Sequence, residues 1–74
     1  MHTKILADNP PTLSEAQTAV GGYVEVLVLP DGRQMLVNED GLQEGLPLNK
    51  NASLIAEQII LGDVLILDVD AKWD

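Results

Sequence analysis

The sequence predicts an α+β fold of two layers: a three- to four-stranded sheet with two helices on one face, in the order (β)-α-β-β-α-β. Three segments carry that expectation. Val20-Gly21-Gly22-Tyr23-Val24-Glu25-Val26 ends a helix on two glycines and launches a strand. Val37-Asn38-Glu39-Asp40-Gly41 ends a strand in an acidic turn closed by glycine. Leu46-Pro47-Leu48-Asn49 leads through an asparagine into a second helix. Each helix carries one apolar stripe, and the simplest way to bury both is against a sheet.

The elements follow in order. Thr3 to Ala7 reads as a short first strand, stopped by Asp8-Asn9-Pro10-Pro11, because proline lacks an N–H and pushes the preceding residue to extended geometry. Thr12-Leu13-Ser14-Glu15 is a capping box, in which the Thr12 hydroxyl and the Glu15 carboxylate each accept from the other's backbone N–H. The helix behind it sets Leu13, Ala16, Gln17 and Val20 on one face. Gly21 supplies a left-handed closing residue. Tyr23 to Leu29 is a strand with Val24, Val26 and Val28 on one face and Tyr23, Glu25, Leu27 and Leu29 on the other. Apolar residues on both faces predict a central strand. Pro30-Asp31-Gly32 is a turn, since proline presets φ and glycine accepts positive φ. Arg33 to Val37 returns antiparallel. Asn38 to Gly45 reads as loop, and the leucines of Leu46-Pro47-Leu48 are expected to cover one end of the core. Asn49 or Asn51 caps a helix running to about Gln58 or Ile59, with Ala52, Ile55, Ala56 and Ile59 buried. Val64 to Leu67 is a last strand, apolar on both faces, and Asp68-Val69-Asp70 continues its alternation.

The chain has 74 residues and no cysteine. That length predicts one domain, residues 1–74, with 1–11 and 70–74 loosely ordered. A chain so short buries only about 60% of the surface its unfolded form exposes. Neither disulfides nor thiolate metal sites can support it, so self-association is expected as an aid. Twelve acidic against four basic residues give a net charge of -8. Direct nucleic-acid binding and anionic membrane surfaces are thereby disfavoured, since both need lysine and arginine. The acidic residues are scattered rather than run together, which favours simple solubility over mimicry of DNA. No secretory signal and no bilayer-length apolar run is seen, so a cytoplasmic protein is expected.

The candidate site residues are Glu25, Tyr23, Asn38, Glu39 and Asp40. Glu25 interrupts an apolar strand. Buried, its carboxylate would need a partner, with Arg33 across the hairpin as the structural choice. Exposed, it is an ordinary solvated charge. Asn38-Glu39-Asp40-Gly41 offers oxygens to a cation but lacks EF-hand spacing, so a polar turn is the plainer reading and no metal is expected. Asp68 and Asp70 share a face at strand spacing and read as solvated charge. Gly21-Gly22 follows a helix, whereas phosphate-binding glycines precede one, so these glycines read as a helix cap. The single histidine, His2, lies at the terminus, and Ser14 and Ser53 sit in helix first turns where capping accounts for them. No catalytic residues and no cofactor are therefore expected, and the chain reads as a non-enzyme.

These segments resemble the DUF3846 family of small phage, plasmid and bacterial proteins. The family pattern is matched by Leu13 through Gln17, Val20-Gly21-Gly22-Tyr23-Val24-Glu25, Asn38-Glu39-Asp40-Gly41, Leu46-Pro47-Leu48-Asn49 and Gly62-Asp63-Val64-Leu65. The resemblance implies a phage or mobile-element accessory protein and brings no catalytic residues with it. Three roles are expected. The first is an acidic accessory protein that binds and modulates a host protein in the host cytoplasm, through strand edges able to accept another strand. The second is an oligomeric module that binds or sequesters a small, nucleotide-like ligand, with a pocket between subunits because one such domain has little room for its own. The third is a structural component of a phage assembly.

Overall fold

The computed structural model describes residues 1–74. Its elements are β1 (Thr3–Leu6), α1 (Leu13–Val20), β2 (Val24–Val28), β3 (Gln34–Asn38), α2 (Lys50–Ala56) and β4 (Val64–Leu67), followed by a 3-10 turn at Val69–Ala71. The α+β class and the β-α-β-β-α-β order are those the sequence predicts. The four strands form one mixed sheet in the order β1-β4-β3-β2. β1 pairs with β4 in parallel, while β4–β3 and β3–β2 are antiparallel.

The layering differs from expectation. Met35, Val37, Val64 and Ile66 pack with Ala52 and Ala56 of α2. Their sequence neighbours Leu36, Leu65 and Leu67 pack instead with Ala16 of α1. Adjacent strand residues point to opposite faces, so the helices cover opposite faces and the fold has three layers, not two. The cause is the composition of β3 and β4. All four residues of β4 are buried, and a strand apolar on both sides needs cover on both sides. On the α1 side that cover is completed by the C-terminal turn, where Ala71 is fully buried and Trp73 packs beside it.

β2 is an edge strand, not a central one. A helix about 10 Å across covers roughly two strands spaced about 4.8 Å apart. One helix per face therefore shields β3 and β4 and leaves the outer strands half covered. Val24 and Leu27 of β2 still reach the two cores, but Val26 is 41% exposed and Val28 77% exposed.

The helix boundaries have local causes. The capping box at Thr12 is present, with Glu15 N–H donating to Thr12 Oγ1 at 3.1 Å and Thr12 N–H to Glu15 Oε1 at 2.8 Å. Gly21, at φ +80°, closes α1 by donating to the Gln17 carbonyl. Within α1 the buried residues are Ala16 and Val20, while Leu13 faces solvent. α2 ends sooner than its apolar periodicity suggests, on Glu57 in the left-handed region at φ 56°. Ile59 therefore leaves the expected buried stripe for solvent, and Ile60 takes the core position. Ser53 serves this turn rather than the helix start: its hydroxyl accepts from Ile60 N–H at 2.8 Å and lies 3.2 Å from the Ile60 carbonyl. Of the two leucines expected to cover the core, Leu46 packs on Gly62, where an added Cβ would sit 2.7 Å from Leu46 Cδ1. Leu48 faces outward.

Hydrogen bonds join the C-terminal segment to β3 and to Pro11. Trp73 Nε1 donates to the Pro11 carbonyl at 2.8 Å, and Trp73 and Gln34 exchange two further hydrogen bonds. Asp68 does not extend β4 but accepts from Val69 N–H at 2.9 Å and caps the 3-10 turn, so Asp68 and Asp70 do not line one strand face.

The capping box also makes stability depend on pH. The Thr12 backbone and hydroxyl bonds hold the Glu15 carboxyl below its ordinary value. A lowered folded-state pKa contributes stability above the unfolded value, roughly pH 4.3, and that contribution disappears as pH falls through the lower folded value. Urea midpoints of wild type and Glu15→Gln should therefore differ most near neutrality and converge in acid. A gap unchanged down to pH 3 would contradict this.

Candidate functional site

The free edge of β2 adjoins an open cleft, and together they form the candidate site. Strand alternation determines which backbone groups are available. Leu29 N–H donates to the Arg33 carbonyl at 2.8 Å, and Glu39 N–H to the Tyr23 carbonyl at 2.8 Å. In this register Glu25 lies opposite Val37 and Leu27 opposite Met35. The odd-numbered residues of β2 thus direct their N–H and C=O groups inward to β3. Those of Val24, Val26 and Val28 point outward, along the edge.

The cleft opens on the α2 side of that edge and holds about 200 Å³. Leu27, Val37, Ile60 and Leu61 form apolar walls, and Glu25 and Glu39 bring carboxylates. Leu42, 83% exposed, and Ile59, 75% exposed, stand at its mouth. Three of the five residues singled out by sequence, Glu25, Asn38 and Glu39, therefore border one cleft. Tyr23 and Asp40 border a separate shallow depression with Gln17, Gly22 and Glu44.

The five residues differ in availability. Glu25 is exposed, and Arg33 is not its partner. Arg33 Nε instead pairs with Asp31 Oδ2 at 2.8 Å, within the hairpin turn. The Arg33 backbone N–H also binds Asp31 and, as the largest cause, holds that carboxyl below its ordinary value. Glu39 and Tyr23 are exposed as well. Asn38 is buried and fully occupied. Its Nδ2 donates to the Val20 carbonyl at 3.2 Å and to Glu44 Oε1 at 3.0 Å, and its Oδ1 accepts from Asp40 N–H at 2.7 Å. It clamps the end of α1 to the turn after β3. Gly22 is glycine because a Cβ there would meet Asn38 Nδ2 at 2.9 Å. Asn38 thus shapes the site without being free to bind.

Sequence reasoning missed Val26 and Val28, which the reading of β2 as central buried, and Ile59, assigned to the helix stripe. Leu42 falls in the segment that reads as loop. No sequence signal marks these four apart from ordinary core residues, because exposure here depends on how far each helix reaches across the sheet. A second shallow groove of Leu48, Lys50, Ser53, Leu54, Gln58 and Ile59 runs on from the cleft. No three His, Cys, Asp or Glu side chains gather where they would hold a metal ion, and no helix is long and apolar enough to cross a membrane.

Fold and site together define a small α+β protein with an exposed sheet edge beside an acidic, apolar-walled cleft. The family described as Domain of unknown function (DUF3846) matches residues 2–74, and the chain belongs to it. That family is found in phage, plasmid and bacterial proteins. No curated protein and no solved structure matches the chain.

Proposed function

We propose that this is a non-catalytic accessory protein of a phage or mobile element that binds a host-cell protein in the host cytoplasm and modulates it. The observation that carries this reading is the edge of β2. Natural sheets guard their edges with charged side chains, above all lysine, with proline, bulges or covering loops, because unpaired backbone groups recruit other strands. β2 has no lysine or proline within it and is paired on one side only. It also leaves Val26 and Val28 in solvent. An edge kept open, with exposed valines on one side and Glu25 as its single charge on the other, fits a docking surface. The reading as a ligand-sequestering module is less well supported: the cleft, at about 200 Å³, falls short of the roughly 300–1,000 Å³ of ordinary ligand sites, and the neighbouring groove, about 460 Å³, is of that size but shallow and open to solvent.

The test is capture from a bacterial host lysate, with bait and eluate read by native mass spectrometry at low and high salt. One host protein enriched at fixed stoichiometry is the expected result. A multimer carrying a bound small molecule, with no protein partner, would overturn the reading in favour of sequestration.

A further inference from the structure

We infer that the partner segment is an extended, basic-apolar alternating strand that adds to the outer edge of β2. This rests on the binding role proposed above and names the chemistry of what binds.

Two independent features of the edge specify the occupant. The first is backbone polarity: the N–H and C=O groups of Val24, Val26 and Val28 point outward and repeat at the spacing of a strand ladder. Only extended chain matches that repeat. The second is the difference between the two sides of the edge. Beside Val26 and Val28 the added strand meets exposed apolar surface, so its residues on that face are apolar. On the opposite face it meets Glu25 and the cleft to which Glu39 also contributes. The chain's one ion pair lies elsewhere, between Arg33 and Asp31, so neither glutamate is neutralised from within. A lysine or arginine at the intervening positions would lay its methylenes along Leu27 and bring its charge to these carboxylates.

Charge also argues against a second copy as the occupant. Two chains of net charge -8 would meet edge to edge with no basic side chain in either strand.

The test uses the whole protein and the peptide acetyl-Thr-Val-Lys-Val-Lys-Val-Thr-amide, with a control in which glutamate replaces both lysines. Hydrogen exchange of backbone amides is followed by NMR. The lysine peptide should slow exchange at Val26 and Val28 by about tenfold or more, and the glutamate peptide should not. Glu25→Gln should weaken the lysine peptide roughly threefold, the scale of an exposed ion pair. Val26→Pro removes an outward donor without breaking a bond to β3, a position where edge strands accept proline, and should abolish the protection. Val28→Lys, at a solvent-facing position, should weaken binding without threatening the fold and carries the test should Val26→Pro unfold. Equal binding of the two peptides, or no protection at Val26 and Val28, would overturn the inference. So would protection that grows with the protein's own concentration in the absence of peptide, which would assign the edge to a second copy.

The same variants separate this inference from the binding role. A captured host protein that stays on both Val26→Pro and Val28→Lys preserves the role and removes the edge. Failure of the wild type to capture any partner removes the role, and the peptide result then decides the edge alone.

Discussion

Ile66→Ala and Leu67→Ala, made separately, should each destabilise the protein by about 3 kcal/mol. The two residues are consecutive in β4 and both fully buried, yet they belong to different cores. Ile66 packs in the core under α2, and Leu67 in the core under α1 and the C-terminal turn. In a two-layer fold one of them would face water, and its truncation would cost less than about 1 kcal/mol. Similar large losses at both positions, read from urea midpoints at constant m-value, are the signature of helices on opposite faces. The effect is large against a total stability of about 4–11 kcal/mol for a chain of this length. One variant near wild type and the other strongly destabilised would refute the three-layer arrangement.

Asn49→Ala should cost a similar amount, about 3 kcal/mol, for a different reason. Asn49 is 2% exposed, and its amide joins three parts of the chain. Its Oδ1 accepts from Ala52 N–H at 3.0 Å, capping α2, and from the Thr3 hydroxyl at 3.2 Å, anchoring β1. Its Nδ2 donates to the Gly62 carbonyl at 2.9 Å and to the His2 carbonyl at 3.2 Å. Alanine removes a helix cap, about 1 kcal/mol. It also strands buried partners, at roughly 1–3 kcal/mol for each one left without a hydrogen bond. Asn51→Ala is the control: Asn51 is exposed, already inside α2, and should change stability by no more than about 0.5 kcal/mol. Loss of amide protection in β1 should accompany the Asn49 variant, because Thr3 and His2 share its contacts. Equal stabilities for the two alanine variants would show that the buried amide is not a joint.

These two residues mark how much was legible in the chain. Asn49 and Asn51 both resemble an N-cap locally, and local chemistry alone does not choose between them. The choice is made by Thr3, His2 and Gly62, which approach only when β1 lies beside β4. Asn38 is similar: as part of an Asn-Glu-Asp-Gly turn it looks like a surface oxygen donor, and only the return of α1 beside β3 makes it a buried clamp. Glu25, Glu39 and Asn38, three of the residues the sequence offers as candidates, border one cleft. The apolar part of that cleft was not legible, because Leu42 and Ile59 carry no mark distinguishing an exposed leucine or isoleucine from a core one.

The strands show the same division. The pattern in Val64 to Leu67 demanded cover on both faces, and the sheet provides it. Val24 to Val28 has nearly the same pattern, yet it lies at the edge. A continuous apolar run records what a strand is able to bury, not whether anything arrives to bury it.

By itself, then, the sequence determined the class, the element order, the Thr12–Glu15 capping box, the glycine closure of α1 and the hairpin at Pro30-Asp31-Gly32. Each depends on φ preferences, caps and periodicities acting within a few residues. Tertiary structure alone decided the strand order, the placing of α1 and α2 on opposite faces, the early end of α2 at Glu57 and the exposure of Val26 and Val28. Those depend on contacts between residues far apart in the chain, and on the plain geometry that a helix about 10 Å wide shelters two strands of a four-stranded sheet and leaves its edges to solvent or to a partner.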